Sequence, residues 1–370
     1  MNSRTRRVAA VTTDGVHSTD QFARDFPGAR DRFLSAAEAA RATVASYAHP
    51  LDDTLSCDTA FLPGDGKWVL VTLSGVHGVE GFCGSALQTN LLRRHRSGPL
   101  TRISQFHVHA VNPWGMNSNS RADDGNVDLN RNVVDFAAPP VNEHYHEIHR
   151  ALSFNAWTAD ELARFWSFHQ EFVGRVGMSG WNRAFSSGQY TAPDGVMYGG
   201  SCPAWGHTTL VTALGSLPDE LTSAVVIDFH TGIGVFGEAL LLPRRLPSAA
   251  PLRAALSGLA PSSRLLDDPH FPLDVRRFSG LLVDACESRF PDDGLSLVVE
   301  YGTYPPTEMI EAMLFDRWAR FHNPGVERNH LHDLYTPRDP VWGRRVHAQA
   351  EAMVDSLISA LTDGTDDVRL

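Results

Sequence analysis

A histidine and a glutamate follow a strongly apolar run of the chain. Residues 68–74 read Trp-Val-Leu-Val-Thr-Leu-Ser, which is the pattern of a strand buried on both faces. His77 and Glu80 come directly after this run, one helical turn apart, so their side chains can converge on one point. Imidazole and carboxylate groups bind zinc. A pair with this spacing usually lies on a solvated helix face, but the glycines at 75, 78, 81 and 84 let the backbone turn tightly, which favours a metal site.

Two later apolar runs each lead into another residue of this kind. His230 follows Ala-Val-Val-Ile-Asp-Phe, and Glu300 follows Leu-Ser-Leu-Val-Val. In an open parallel sheet, ligands bind where the carboxyl ends of the strands share one edge, so we expect these residues near one another. Two histidines and one carboxylate, with a fourth position open to water, form a catalytic zinc site. The sequence therefore predicts that His77, Glu80 and His230 bind zinc and that Glu300 takes a proton from the zinc-bound water. The alternative is that His230 and Glu300 are polar core residues with ordinary hydrogen-bond partners.

Two arginines flank a glycine turn in the segment after another predicted strand. Arg121 and Arg131 lie on either side of Gly125, so both side chains could point into one pocket. A guanidinium group pairs with a carboxylate through two parallel hydrogen bonds. These arginines are therefore candidates for binding an anionic substrate, and the alternative is a surface loop with Asp–Arg ion pairs.

The elements that must position these residues alternate along the chain. Apolar runs predict strands, and three- and four-residue apolar spacing predicts helices. Strands are predicted at residues 68–74, 106–111, 224–229 and 295–299, and helices at 20–48, 84–96, 159–176, 307–322 and 340–361. Residues around 330 are expected to form a loop. This alternation predicts an α/β fold with a mixed, mostly parallel sheet covered by helices on both faces.

The pattern loosens between about residues 135 and 222, which are rich in glycine and aromatic residues. No repeat or linker marks a boundary there, so we expect one domain over residues 19–362 with a large insertion at about 135–222. Residues 1–18 and 363–370 are expected to be tails.

Composition excludes several classes of function. The 370 residues carry 32 basic and 43 acidic groups, a net charge of −11, which argues against nucleic-acid and membrane partners. No apolar run is long enough to span a membrane. The four cysteines are widely spaced and predict neither disulfides nor a zinc knuckle. The first apolar run is too short for an export signal, so we expect a cytoplasmic protein.

The motifs also stand in the order seen in zinc carboxypeptidases of the carboxypeptidase A superfamily. The flanking segments Asp-Phe-His-Thr-Gly around His230 and Glu-Tyr-Gly at Glu300 resemble the succinylglutamate desuccinylase/aspartoacylase branch. The glycine-rich segment around His77, with Gly-Gln-Tyr at 188–190 and Tyr-Gly-Gly at 198–200, resembles a bacterial group of this superfamily known as a domain of unknown function. The motifs that carry the resemblance are His77-x-x-Glu80, Asn112-Pro113-x-Gly115, Arg121, Asp128-Leu129-Asn130-Arg131-Asn132, His230 and Glu300.

The resemblance implies a mixed eight-stranded sheet between helices, with zinc on His77, Glu80 and His230 and with Glu300 as the general base. It further implies that Arg121 polarises the scissile carbonyl and that Asn130 and Arg131 hold the free carboxylate of the substrate. No single tyrosine aligns with the one that closes over substrate in digestive carboxypeptidases. The candidates are Tyr190, Tyr198, Tyr301 and Tyr304, of which Tyr198 and Tyr301 are taken as substrate-binding residues.

The resulting hypothesis is a zinc-dependent hydrolase that cleaves an amide bond next to a free carboxylate. It would act as a metallocarboxypeptidase on a peptide C-terminus or as a deacylase on a small acylated amino acid, and the sequence leaves these two open. One alternative is a non-catalytic zinc- and carboxylate-binding module, which does not require Glu300. Another is an interaction scaffold without metal.

Overall fold

The computed structural model describes residues 22–95, 103–259, 263–265 and 278–363. Eight of its segments form one mixed sheet, as predicted. The strands are β1 (Thr43–His49), β2 (Asp52–Leu62), β3 (Trp68–Ser74), β4 (Ser104–His109), β5 (Ser223–Gly232), β6 (Ala239–Arg245), β7 (Ser263–Leu265) and β8 (Leu295–Gly302). The predicted tails lie outside the described residues, except that Asp363 ends the last helix.

The sheet is parallel at its centre, with antiparallel pairs on either side and a parallel pair, β6 and β7, at one edge. Its strand order is β1-β2-β4-β3-β5-β8-β6-β7. The four central strands β4, β3, β5 and β8 run parallel, whereas β2 and β6 flank them in the opposite direction. The edge strand β7 has three residues. The carboxyl ends of β3, β5 and β8 therefore lie at the same edge of the sheet.

Helices connect the strands and cover both faces of the sheet. They are α1 (Phe26–Ala39), α2 (Gly81–Arg94), α3 (Pro113–Asn117), α4 (Tyr145–Ala151), α5 (Ala159–Ser186), α6 (Trp205–Gly215), α7 (Ala250–Gly258), α8 (Leu282–Arg289), α9 (Pro306–His322), α10 (Asn329–Tyr335) and α11 (Pro340–Asp363). Two short 3₁₀ helices, Gly78–Glu80 and Leu129–Arg131, carry predicted site residues. Among the described residues, no helix has the length and apolar character needed to cross a membrane.

The first helix is shorter than predicted. It begins after Asp25, whose side chain caps its N-terminus. The predicted helix over residues 20–48 is wrong beyond Ala39, because Arg41 has a positive φ of 59° and β1 starts at Thr43. Val44 continues the helical spacing but is 40% exposed on β1. The three- and four-residue apolar spacing that reaches Val44 therefore does not mean that the helix reaches it.

The remaining predicted elements are present in the structure. They correspond to β3, β4, β5 and β8 and to α2, α5, α9 and α11. The structure adds the flanking strands, and it places α10 where a loop was expected around residue 330. The loop prediction is corrected there because Leu331 and Tyr335, four residues apart, are both buried on one side of α10.

The core lies in two layers, one on each face of the sheet. Alternate residues of β3 point to opposite faces. Val69 and Val71 pack in a cluster with residues of α6 and α8. Leu70 packs in a second cluster with residues of α2, α7 and α11. This double burial is what the unbroken apolar run of β3 indicates.

Residues 135–222 contain α4, α5 and α6 and a separate aromatic cluster around Trp181. Asn132 attaches this region to the sheet edge, because its side-chain amide donates hydrogen bonds to the Gly199 and Cys202 carbonyls at 2.8 and 3.0 Å. The region therefore lies beside the 3₁₀ turn that carries Asn130 and Arg131.

Candidate metal centre and pocket

The turn after β3 brings His77 and Glu80 to the sheet edge. Gly75 has a φ of +67°, which favours glycine. Gly78 lies so close to the next loop that a Cβ atom would come within 2.1 Å of the Gly115 carbonyl carbon. The Gly78 N–H also donates to the Arg121 carbonyl at 3.1 Å. The glycines therefore allow the loop that carries Arg121 to pack directly against this turn.

His77, Glu80 and His230 meet at this edge. One ligand atom from each lies within 4.8 Å of the other two, and all three residues are buried. The Nδ1 atoms of the two histidines are 3.1 Å apart, and each is 2.9 Å from a carboxylate oxygen of Glu80. Two imidazole nitrogens and one carboxylate are a donor set that suits zinc. The three side chains therefore fit a metal ion.

Each histidine has an aspartate at its other ring nitrogen. Nε2 of His77 is 3.0 Å from Oδ1 of Asp128, and Nε2 of His230 is 2.7 Å from Oδ2 of Asp228. A carboxylate that accepts the Nε2 proton fixes the ring orientation and leaves Nδ1 free to bind a metal. Both histidines are thus held with Nδ1 towards Glu80.

The charges of the cluster favour a cation. Burial by itself would raise the pKa of Glu80, but His77 and His230 hold it well below its usual value. Burial would lower the pKa of His230, but the carboxylates of Asp228 and Glu80 raise it well above its usual value. The buried carboxylates thus present negative charge that a proton or a metal ion can neutralise.

Glu300 is the neighbour of His230 in the register between β5 and β8. It is 8% exposed, and its Oε2 atom has no hydrogen-bond partner among the described residues. Burial, together with the charge of Glu80, raises the pKa of Glu300 to about 7. A carboxyl group that titrates near neutral pH is suited to accept a proton during a reaction.

Arg121 lies on the loop after β4 and contacts the metal-site cluster. Its Nη1 donates to Oδ2 of Asp128 at 2.6 Å, and Oδ1 of the same carboxylate is the atom that contacts His77. Burial would lower the pKa of Arg121, but the carboxylates of Asp128 and Glu80 raise it above its usual value. Arg121 therefore stays cationic beside the candidate ligands.

Arg131 and Asn130 sit on the 3₁₀ turn nearby. Nε of Arg131 donates to the Ser186 carbonyl at 3.0 Å, and Nη1 donates to the Asn130 carbonyl at 2.6 Å. The Asn130 amide donates to Oδ2 of Asp228 at 3.2 Å, and its oxygen accepts from the Leu282 N–H at 2.9 Å. The Asn130 side chain is therefore bonded to the protein itself, and its contact with a substrate stays a prediction.

These side chains surround one cavity of about 140 Å³. The predicted site residues that line it are His77, Glu80, Arg121, Asn130, Arg131, His230 and Glu300. Ser186 and Met197 line it as well, so the inserted region contributes part of its wall.

A family model matches residues 22–349 under the description "Protein of unknown function (DUF2817)". The chain belongs to this family. Among proteins with curated functions, none matches the chain by sequence.

Several solved structures are similar in fold to this DUF2817 protein. Bovine thrombin-activatable fibrinolysis inhibitor, solved in complex with tick carboxypeptidase inhibitor, has 10% identity and a TM-score of 0.50 over 94% of this chain and 99% of that chain. A metallo-carboxypeptidase from Burkholderia cenocepacia has 14% identity and a TM-score of 0.43 over 90% and 69%. A succinylglutamate desuccinylase from Chromobacterium violaceum has 14% identity and a TM-score of 0.34 over 83% and 76%. At such identities the likeness concerns the fold alone.

The two tyrosines predicted to bind substrate do not line the cavity of the DUF2817 protein. Tyr301 is fully buried among core residues on the face of β8 opposite to Glu300, because successive side chains of a strand alternate. Tyr198 contacts the site through its backbone, whose carbonyl accepts from the Asp128 N–H at 2.7 Å. These positions correct the expectation of direct side-chain contacts with substrate.

A different tyrosine lines the cavity. Tyr335 ends α10, and it is 5% exposed. Burial, with the charges of Glu80 and Glu300 nearby, raises the pKa of Tyr335, so its hydroxyl stays protonated and able to donate. The four-residue spacing of Leu331 and Tyr335 is typical of a helix and could have predicted α10, but the segment was expected to be a loop.

The two aspartates were also missed as site residues. Asp228 lies two residues before His230, so the alternation of a strand places both on one face, and this signal was present in the sequence. Asp128 is 51 residues from His77 along the chain, and no local spacing could relate them.

Proposed function

We propose that this protein is a zinc-dependent hydrolase that cleaves an amide bond next to a free carboxylate. The observation that carries the proposal is the convergence of three metal-ligating side chains beside Glu300, a buried carboxyl group with an unpartnered oxygen. A structural zinc site would be closed by a fourth protein ligand, whereas this one faces a cavity. A module that only bound metal or carboxylate would not need the base.

Zinc, when bound, supplies a Lewis acid that polarises a carbonyl group and lowers the pKa of a nearby water. Glu300 takes the proton of the attacking water and passes it to the leaving amine. Its carboxylate is available for this because the structure gives its Oε2 atom no other partner among the described residues.

Arg121 stabilises the negative charge that develops on the carbonyl oxygen. Its guanidinium group is fixed by Asp128, and the side chain is 14% exposed, so the group needs little rearrangement during the reaction.

Arg131 binds the free carboxylate of the substrate. It lines the cavity, and its hydrogen bonds to Ser186 and Asn130 employ one N–H on each nitrogen, which leaves two of its five donors for a ligand. Whether the amide belongs to a peptide or to an acylated amino acid does not change these roles.

The test compares a substrate with its amidated form. The zinc-loaded protein should hydrolyse N-acetyl-L-methionine or a short peptide, and amidation of the free carboxylate should lower kcat/KM by about two orders of magnitude or more because Arg131 loses its partner. Arg131→Ala should respond little to amidation. Equal rates on both forms would refute the carboxylate clamp, and no hydrolysis of any amide by the zinc form would refute the whole proposal.

A further inference from the structure

The floor of the cavity next to Glu300 is apolar. Val298 lies two residues before Glu300 on the same face of β8. Leu242 of β6 is its partner in the register between these strands, and both residues line the cavity. The space beside the proposed base is therefore bounded by aliphatic side chains.

The end of the cavity near Arg131 is apolar as well. The Arg131 guanidinium carbon lies 4.8 Å from the centre of the Phe278 ring. Leu281, just before α8, is buried and lines the same space. If Arg131 binds the free carboxylate of a substrate, the side chain of the residue that bears this carboxylate would lie next to Phe278 and Leu281.

A further part of the wall consists of three methionines from two segments. Met197 comes from the inserted region, and Met309 and Met313 come from α9. Methionine is flexible and polarizable, and it adapts to apolar groups of different shapes. This wall offers no fixed charge to a substrate.

Seven ionisable residues of the described chain line the cavity. They are the three candidate ligands, the base, the two arginines and Tyr335. Among the described residues, none of the lining groups is left to pair with a charged substrate side chain, and burial of an unpaired charge is costly. An apolar side chain meets no such penalty.

We infer that the pocket accepts substrates in which the residue bearing the free carboxylate has an apolar side chain, and that it discriminates against acidic and basic ones. This inference rests on the proposed function for the placement of the carboxylate. The volume of about 140 Å³ is sufficient, since apolar protein cavities of about 150 Å³ hold a benzene ring.

The test uses three matched compounds, N-acetyl-L-methionine, N-acetyl-L-glutamate and N-acetyl-L-lysine. Their kcat/KM is measured with the zinc-loaded full chain, and their binding is measured by calorimetry on the zinc-loaded Glu300→Gln variant. The methionine compound should exceed both others by at least about tenfold in each measurement, as is typical of an apolar pocket.

Two variants on α9 test whether the cavity wall causes the preference for apolar side chains. Met313→Lys puts a positive charge on the wall and should shift binding towards the glutamate compound by about tenfold or more. Thr307→Lys makes a similar change at an exposed position of the same helix that does not line the cavity, and it should leave the preference unchanged. Equal shifts in both variants would contradict the inference.

The outcomes separate this inference from the proposed function. Preferential binding of the methionine compound, with no hydrolysis of it or of a short peptide, would refute the proposed activity and support the apolar pocket. Equal or tighter binding of a charged compound, or no binding of any of the three at millimolar concentration, would overturn the apolar pocket.

Discussion

Two pairs of buried histidines lie on or directly after the parallel strands of the sheet, and they differ in their surroundings. His77 and His230 lie at the carboxyl edge, and His107 and His109 lie on β4. All four are at most 6% exposed. Burial therefore does not distinguish a candidate metal ligand from a core residue.

The partners of the rings distinguish the two pairs. His107 has Nδ1 2.8 Å from the Thr72 hydroxyl, and His109 has Nε2 2.9 Å from the Ser85 hydroxyl. Burial lowers the pKa of His107 to about 3 and that of His109 to about 4, so both rings stay neutral. His77 and His230 instead contact aspartates, and their other nitrogens face Glu80. An imidazole ring with a carboxylate at one nitrogen and the other nitrogen directed towards a shared carboxylate is arranged to bind metal.

The largest expected effect is that substitution of His77 or His230 removes the metal, whereas substitution of a histidine on β4 does not. His77→Ala and His230→Ala each remove one of three protein ligands, so zinc content should fall from about one per chain to a small fraction after dialysis. His107→Gln replaces an equally buried histidine and should keep its zinc. Elemental analysis of the purified variants measures the difference. Full retention in both alanine variants would show that the edge does not hold the metal.

The second effect concerns two glutamates with the same unusual chemistry. Glu300 and Glu287 both have a pKa raised mainly by burial, and each has one buried oxygen without a hydrogen-bond partner among the described residues. Glu300 lines the cavity, whereas Glu287 lies on α8 away from it. Glu300→Gln should keep zinc and lower kcat by about two orders of magnitude or more, since a general base is removed. Glu287→Gln should change kcat little.

The pH profile sharpens the role of Glu300. The carboxylate form is the base, so kcat/KM should rise with pH through the pKa of Glu300, which burial and the charge of Glu80 raise to about 7 in the metal-free protein. A bound cation lowers that pKa and moves the limb to more acidic values. Residual activity of Glu300→Gln should lack this limb. If the rise of kcat/KM with pH were unchanged in Glu300→Gln, it would report the titration of another group.

The sequence revealed those site residues whose position follows from a local pattern. His77, His230 and Glu300 each come after an apolar run, and that pattern also predicts the central strands. The surrounding contacts depend on distant parts of the chain. Asp128 reaches His77 only because the loop after β4 packs on the glycine turn. Tyr301 was wrongly predicted to lie in the pocket because it follows Glu300 directly in the motif Glu-Tyr-Gly. Successive side chains of a strand point to opposite faces, so Tyr301 points away from the cavity.

The third expected effect separates two buried aspartates that lie near histidines. Asp228→Asn weakens the acceptor of the His230 Nε2 proton, and loss of such a partner typically costs about 10- to 100-fold in metal affinity. Asp58 lies near His109 and is bound by Arg30 at 2.8 Å, so Asp58→Asn should leave metal affinity unchanged. Competition with a chelator measures both affinities. Equal affinities in the two variants would show that Asp228 does not support the site.

The smallest expected effect is on stability at acidic pH, measured on the metal-free protein. The pKa of His107 is about 3 in the folded state against 6.5 in the unfolded chain, so below pH 6.5 the unfolded state binds a proton that the folded state does not. The stability that this neutral ring permits above pH 6.5 is lost as pH falls towards 3. Between pH 7.5 and 5, wild type should therefore lose about 2 kcal/mol of unfolding free energy that His107→Gln does not lose. Urea unfolding at the two pH values measures this, and identical losses in the two proteins would mean that His107 does not stay neutral in the fold.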